Sequence, residues 1–132
     1  MPAESQAPFH ILLVEDEPVI RELVSSMLSD GTVDVVCAED GIEGLKLAKS
    51  QPFHLILLDV VLPKMDGVSV CRILKSDPGT AHVPIYMLTA KTKKADVDSA
   101  TVAGADGYIQ KPFKGTELMA LVDRLRAAAS SS

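Results

Sequence analysis

Three carboxylates, a hydroxyl and an ammonium stand at the ends of four apolar runs in this chain. Ile11-Leu12-Leu13-Val14 leads into Glu15-Asp16, Leu55-Ile56-Leu57-Leu58 into Asp59, Ile85-Tyr86-Met87-Leu88 into Thr89, and Tyr108-Ile109-Gln110 into Lys111-Pro112. Carboxylates brought close together raise one another's pKa unless a cation intervenes. A hard, all-oxygen donor set with few protein ligands suits Mg2+ that keeps several of its waters. Beside such an ion, a carboxylate oxygen can attack phosphorus and form an aspartyl phosphate. The Lys111 ammonium then pairs with one phosphoryl oxygen, and the Thr89 hydroxyl donates to another. Each residue alone has an ordinary reading: a helix-capping acid, a strand-end threonine, a surface lysine. Four separate runs ending in complementary groups point instead to one shared crevice.

That crevice requires strands arranged so that their carboxyl ends meet. Continuous apolar runs of this length read as strands buried on both faces of a parallel sheet. Between them lie helical stripes. Pro18 opens the first, with Val19, Ile20, Leu23, Val24, Met27 and Leu28 on one face until Gly31 stops it. Val33 to Ala38 is a second strand; Ile42, Leu45 and Ala48 mark a second helix ended by Pro52. His54 to Asp59 is the third strand, followed by a Pro63 to Gly67 loop in which Asp66-Gly67 has helix-cap chemistry. Val70, Ile73 and Leu74 give a third helix closed by Asp77-Pro78-Gly79, and Pro84 opens the fourth strand. A more polar fourth helix spans about Lys93 to Ala103, the fifth strand is Gly107 to Gln110, and Leu118, Leu121, Val122 and Leu125 stripe the fifth helix. Five strands alternating with five helices predict a doubly wound α/β domain with a five-stranded parallel sheet in the order 2-1-3-4-5. Glu15, Asp16 and Asp59 then fall where the strand order reverses, the place where such sheets bind ligands.

Whole-chain properties bound the function. A length of 132 residues, 47% hydrophobic and 23% charged, predicts one domain over residues 9–126, with flexible tails at 1–8 and 127–132. A net charge of -5 argues against direct binding of nucleic acid or an anionic membrane. No apolar run is long enough to span a bilayer, and Met1 to Pro8 lacks the order of a secretory signal, so a cytoplasmic protein is expected. Cys37 and Cys71 sit in a strand and a helix without metal-type spacing, as small core residues do. His10, His54 and His82 lie at strand starts or in a loop, away from the reactive end, and none reads as a phosphohistidine or a ligand. Tyr86 and Phe113 read as core, and Lys93-Lys94 as a solvated helix start.

The segments Val14-Glu15-Asp16-Glu17-Pro18, Leu58-Asp59-Val60-Val61-Leu62-Pro63-Lys64-Met65-Asp66-Gly67, Pro84-Ile85-Tyr86-Met87-Leu88-Thr89-Ala90 and Gly104-Ala105-Asp106-Gly107-Tyr108-Ile109-Gln110-Lys111-Pro112-Phe113 together resemble bacterial response-regulator receiver domains of two-component systems. The resemblance spans nearly the whole chain. It implies a flavodoxin-like receiver fold in which Asp59 accepts phosphate from a phosphohistidine on a sensor histidine kinase or a histidine phosphotransfer protein. Asp16 and Asp59 would hold Mg2+ directly, Glu15 through a metal-bound water, and the backbone carbonyl of Val61 would complete the protein ligands. Thr89 and Tyr108 would move together as the switch, and the Lys111-Pro112 peptide would be cis, a form accessible before proline.

Within that resemblance Val61 and Lys91 flank the phosphoryl group. An apolar Val61 cannot orient a hydrolytic water, so slow self-dephosphorylation is expected, to be read from the half-life of a Val61→Asn variant. Output requires surfaces that differ between two states. The fourth helix, thinly apolar around Val97, Ala100 and Val102, would with the fifth strand and fifth helix form the face read by a downstream protein target. Other classes fit less well. A haloacid-dehalogenase-type phosphohydrolase carries a second Asp where this chain has Val61, and the chain is short for that family. Glu15-Asp16-Glu17 would repel the phosphate of FMN. A phosphorylation-independent interaction module has no need of Asp59, Thr89 and Lys111 together. Whether the chain is a complete regulator or a receiver excised from a longer one, its Ala- and Ser-rich terminus does not decide.

Overall fold

In a computed structural model, residues 8–28, 31–89, 98, 101 and 103–130 are described. Five strands, β1 (Phe9–Val14), β2 (Val33–Ala38), β3 (Leu55–Asp59), β4 (Ile85–Thr89) and β5 (Gly107–Gln110), form one parallel sheet in the order β2-β1-β3-β4-β5. This is the expected order. The register pairs Val14 with Ala38 and Leu58, Asp59 with Leu88, and Thr89 with Gln110, so all five strands end side by side.

The period of two along each strand divides the apolar residues between the sheet's faces. On one side Leu12, Val14, Ile56, Leu58 and Met87 pack with Val70, Cys71 and Leu74 of α3 (Gly67–Ser76) and with Ala48 of α2 (Gly41–Ser50). On the other, Ile11, Leu13, Leu55, Leu57, Leu88 and Ile109 pack with Val24 and Leu28 of α1 (Pro18–Leu28) and with Leu118, Leu121 and Val122 of α4 (Gly115–Ser130). The sheet is therefore covered on both faces, which explains why its strands are apolar throughout.

Local chemistry sets the helix starts. Pro18 opens α1, where its missing N–H costs nothing. Asp40 caps α2 by accepting from the Glu43 amide at 2.8 Å, and Asp66 caps α3 by accepting from the Ser69 amide at 2.9 Å. The second cap is the one expected of Asp66-Gly67. Helix α4, the fifth helix of the sequence reading, continues past residue 126 through an alanine-rich stretch that favours helix. The expected fourth helix lies largely outside the described residues, as do Lys91, Lys93, Lys94, Val97, Ala100 and Val102; Asp98, Thr101 and Ala103 are helical. Residues 1–7 also lie outside them. Cys71 is buried, and burial pushes its thiol up to about 11, while Cys37 is half-buried against the other core layer. Phe113 is buried; Tyr86 is half-buried, with its hydroxyl accepting from Arg124 at 3.1 Å. Among the described residues no helix is long and apolar enough to cross a membrane.

Candidate functional site

The ends of β1 and β3 deliver the acids. Glu15 follows β1 and is wholly buried, Asp59 closes β3 and is 6% exposed, and Asp16 faces solvent. One oxygen from each of the three lies within 4.8 Å of the others. Such an all-oxygen donor set fits a hard divalent ion. Lys111, one residue beyond β5, reaches into this group: its Nζ donates to Glu15 Oε1 and to Asp59 Oδ2, each at 2.7 Å. The ammonium thus bridges two acids on separate strands and supplies the positive charge between them.

The remaining oxygens of these acids are held by the backbone. Glu15 Oε2 accepts from the Glu17 amide at 3.1 Å, and Asp59 Oδ1 from the Val61 amide at 3.0 Å. Burial pushes the Glu15 carboxyl up to about 7; the Asp59 carboxylate adds to that rise and Lys111 opposes it. Burial works against the Lys111 ammonium, but its bonds to Asp59 and Glu15 outweigh that cost and hold its pKa above the usual lysine value. The pocket is therefore a tight balance of opposite charges.

Thr89 ends β4 beside these groups. It is 3% exposed, and its hydroxyl is a buried side-chain oxygen with no hydrogen-bond partner among the described residues, although its carbonyl accepts from the Lys111 amide at 2.7 Å. A buried hydroxyl without a partner forfeits the bonds it had to water. The Lys111-Pro112 peptide is cis, as expected. Tyr108 lies on β5, half-buried against the core, and its hydroxyl bonds Thr101 Oγ1. Val61 is 74% exposed, beside Asp59 and open to water.

Several contributors carry little sequence signal. Gly67 opens α3 directly under Asp59: a Cβ there would sit 2.0 Å from the Asp59 carbonyl oxygen, so only glycine lets the helix start so close. Gly41 allows the same approach, a Cβ meeting the Met65 carbonyl oxygen at 1.9 Å. The Gly67 amide donates to the Val60 carbonyl at 2.9 Å and the Gly41 amide to Pro63 at 3.3 Å, seating the loop after Asp59 between two helix starts. Arg21 donates to the Glu15 carbonyl at 2.8 Å, fixing the turn after β1. A glycine before a stripe of apolar residues was visible in the sequence; the partner of Arg21 was not.

The sequence family described as the response regulator receiver domain matches residues 11–123. A DNA-binding response regulator, MtrA of Mycolicibacterium smegmatis, is 43% identical over 112 residues, covering 85% of this chain and 48% of that protein. The DNA-binding dual master transcriptional regulator RpaA of Synechocystis is 42% identical over 129 residues, covering 92% of this chain and 54% of that protein. The chain spans about half the length of these relatives. Among solved structures, the chemotaxis response regulator CheY4 of Vibrio cholerae superposes with a TM-score of 0.83 at 31% identity, over 90% of this chain and 99% of that one. The receiver domain of a sensor histidine kinase from Pseudomonas aeruginosa, which has a magnesium ion coordinated in its active site cleft, superposes with a TM-score of 0.84 at 36% identity, over 92% and 99% of the two chains. These relatives correct one expectation. Direct nucleic-acid binding was set aside because the net charge is -5, yet MtrA and RpaA are DNA-binding proteins. The charge of a segment matching half of such a regulator says nothing about the surface of the other half.

Proposed function

The chain belongs to the response regulator receiver domain family, whose members are signalling switches, and from that premise we propose that Asp59 is its phosphorylation site. The observation that carries this reading is the Lys111 ammonium 2.7 Å from both Glu15 and Asp59, beside a buried Thr89 hydroxyl with nothing to bond. An Asp59 carboxylate oxygen attacks the phosphorus of a phosphohistidine on a sensor kinase or phosphotransfer protein. The new O–P bond forms as the P–N bond breaks, and the electron pair leaves on the imidazole nitrogen, which takes up a proton.

Mg2+ would be held by Glu15, Asp16, Asp59 and the Val61 carbonyl, where it supplies charge neutralisation and alignment for the phosphoryl group. This chain's own residues do the rest. The Val61 amide holds Asp59 Oδ1 and so orients the carboxylate. Lys111 moves one of its hydrogen bonds to a phosphoryl oxygen, and the Thr89 hydroxyl donates to another, gaining the partner it lacks. Thr89 is drawn toward the phosphoryl group, Tyr108 on the neighbouring strand adjusts with it, and a binding surface changes between two states. The solvent-facing Val61 offers no group to orient a hydrolytic water, which favours a long-lived phosphoryl form.

Intact-mass measurement after incubation with Mg2+ and a small phosphoryl donor tests the proposal. The wild type gains one phosphoryl group and Asp59→Asn gains none. Equal modification of both chains, or of neither, overturns it.

A further inference from the structure

Far from the acidic pocket, at the amino-terminal end of the sheet, two side chains stand in for backbone. The residue just before β5, Asp106, donates its amide to the Ile85 carbonyl at 2.8 Å and accepts the Ile85 amide on its own Oδ2 at 2.7 Å. The residue just before β3, His54, does the same to β1: its amide donates to the His10 carbonyl at 2.8 Å, and its Nδ1 accepts the His10 amide at 2.9 Å. Each side chain adds a last rung to a ladder of parallel strands by accepting a strand amide. The two rungs differ in one respect. A carboxylate keeps its acceptor through neutral and mildly acidic pH, whereas an imidazole that accepts on Nδ1 must carry its proton on Nε2, and loses the acceptor when a second proton arrives.

We propose that His54 is a proton-released rung: its neutral Nε2–H form locks β1 to β3, and protonation of Nδ1 sets two donors face to face and opens that end of the sheet. The surroundings set the balance. The His54 ring stacks on Phe9 at 5.0 Å and on His10 at 5.6 Å, and the Arg126 guanidinium of α4 lies 5.4 Å from the centre of the Phe9 ring. Arg126 also donates to the Thr32 carbonyl at 2.7 Å, which fixes its charge beside this stack. On the β2 side Asp34 Oδ2 lies 3.1 Å from His10 Nδ1. Partial burial, then the charges of His10 and Arg126, hold the His54 pKa below the ordinary imidazole value of 6.5. The sign follows from that direction. Above 6.5 both folded and unfolded chains carry a neutral His54 and the rung is intact; as pH falls below it the unfolded chain takes up its proton first, so stability declines.

Nitrogen-15 NMR of the full chain tests this residue by residue. At neutral pH the His54 ring should be the Nε2–H tautomer. As His54 titrates, His10 amide exchange, corrected for its intrinsic pH dependence, should speed on the order of tenfold, the equivalent of one ordinary hydrogen bond. In His54→Asn the amide oxygen takes the place of Nδ1 without titrating, so His10 stays protected between about pH 5 and 7.5. His54→Leu leaves it unprotected throughout. An Nδ1–H tautomer at neutral pH, or His10 protection that stays level while His54 titrates in the wild type, overturns the proposal; both are read without any variant.

Discussion

Where β4 begins, Asp106 accepts from the Ile85 amide and from the Lys75 ammonium, at 2.7 and 2.8 Å; where β4 ends, the Thr89 hydroxyl is buried with no partner among the described residues. The same contrast holds for β1 and β3. Their amino-terminal ends are joined by His10 and His54, each amide with an acceptor, while their carboxyl-terminal ends crowd Glu15 and Asp59 onto one shared ammonium. One end of the sheet is arranged for stability. The other holds charge and hydrogen-bonding capacity in reserve, which is the arrangement the proposed function requires of it.

Removing groups from each end should therefore have unlike effects. Lys111→Met leaves two buried acids facing each other without their cation, and should cost about 3 kcal/mol at neutral pH by urea unfolding. A loss no larger than that of an exposed ion pair would show that solvent already screens this pocket. Asp106→Ala strands the Ile85 amide and one bond of the half-buried Lys75, and should cost about 2 kcal/mol by the same measurement. If Lys111→Met and Asp106→Ala prove equally costly, and neither loss responds to Mg2+, the contrast between the ends dissolves.

Mg2+ should raise stability through the carboxyl end alone, by about 1.4 kcal/mol when its concentration is ten times its dissociation constant. That gain should shrink as pH falls through about 7. Glu15, with its carboxyl pushed up to about 7 from 4.5, binds a proton in the folded state that the unfolded chain releases, so its own contribution to stability grows toward acid between those values, opposite in sign to that of His54, and the proton competes with the metal. Thermal melts with and without Mg2+ across that range check both halves of the statement; a Mg2+ effect independent of pH would separate Glu15 from the metal. The smallest effect is also the most telling. Thr89→Val deletes a buried hydroxyl that has no partner and should stabilise the protein by about 1 kcal/mol, whereas removing a paired group at the other end destabilises it. A destabilised Thr89→Val would mean that the hydroxyl is already satisfied.

Much of the fold could be read from residue order because each strand is apolar on both faces and bounded by turn residues. The expected spans of β2 and β5 coincide with those observed. The misses are at ends where a side chain replaces a backbone bond: β3 begins at Leu55 rather than His54, because the His54 ring takes over the ladder there. β1 begins at Phe9, one residue before the expected start at His10, where Phe9 pairs with Val33 of β2. In the site, strand-end chemistry singled out Glu15, Asp16, Asp59, Thr89 and Lys111 from their types alone, and the structure groups the three acids with Lys111 and sets Thr89 at the end of β4. It could not say which of two adjacent acids is buried. Glu15 turns inward to Lys111 and Asp16 outward to water, an outcome set by β5, 96 residues away. The nearness of Gly67 to the Asp59 carbonyl is likewise a product of packing between elements that sequence spacing does not reveal.

The bridge made by Lys111 has one more consequence. A single side chain neutralises two strand termini at once, so under the proposed phosphorylation an arriving dianion would have to draw Lys111 away from Glu15 or Asp59, and whatever it took from one terminus would loosen that strand's tie to β5. Loading the pocket would then be an exchange of partners across three strands, with the mechanical message leaving by the strand that gives up its tether.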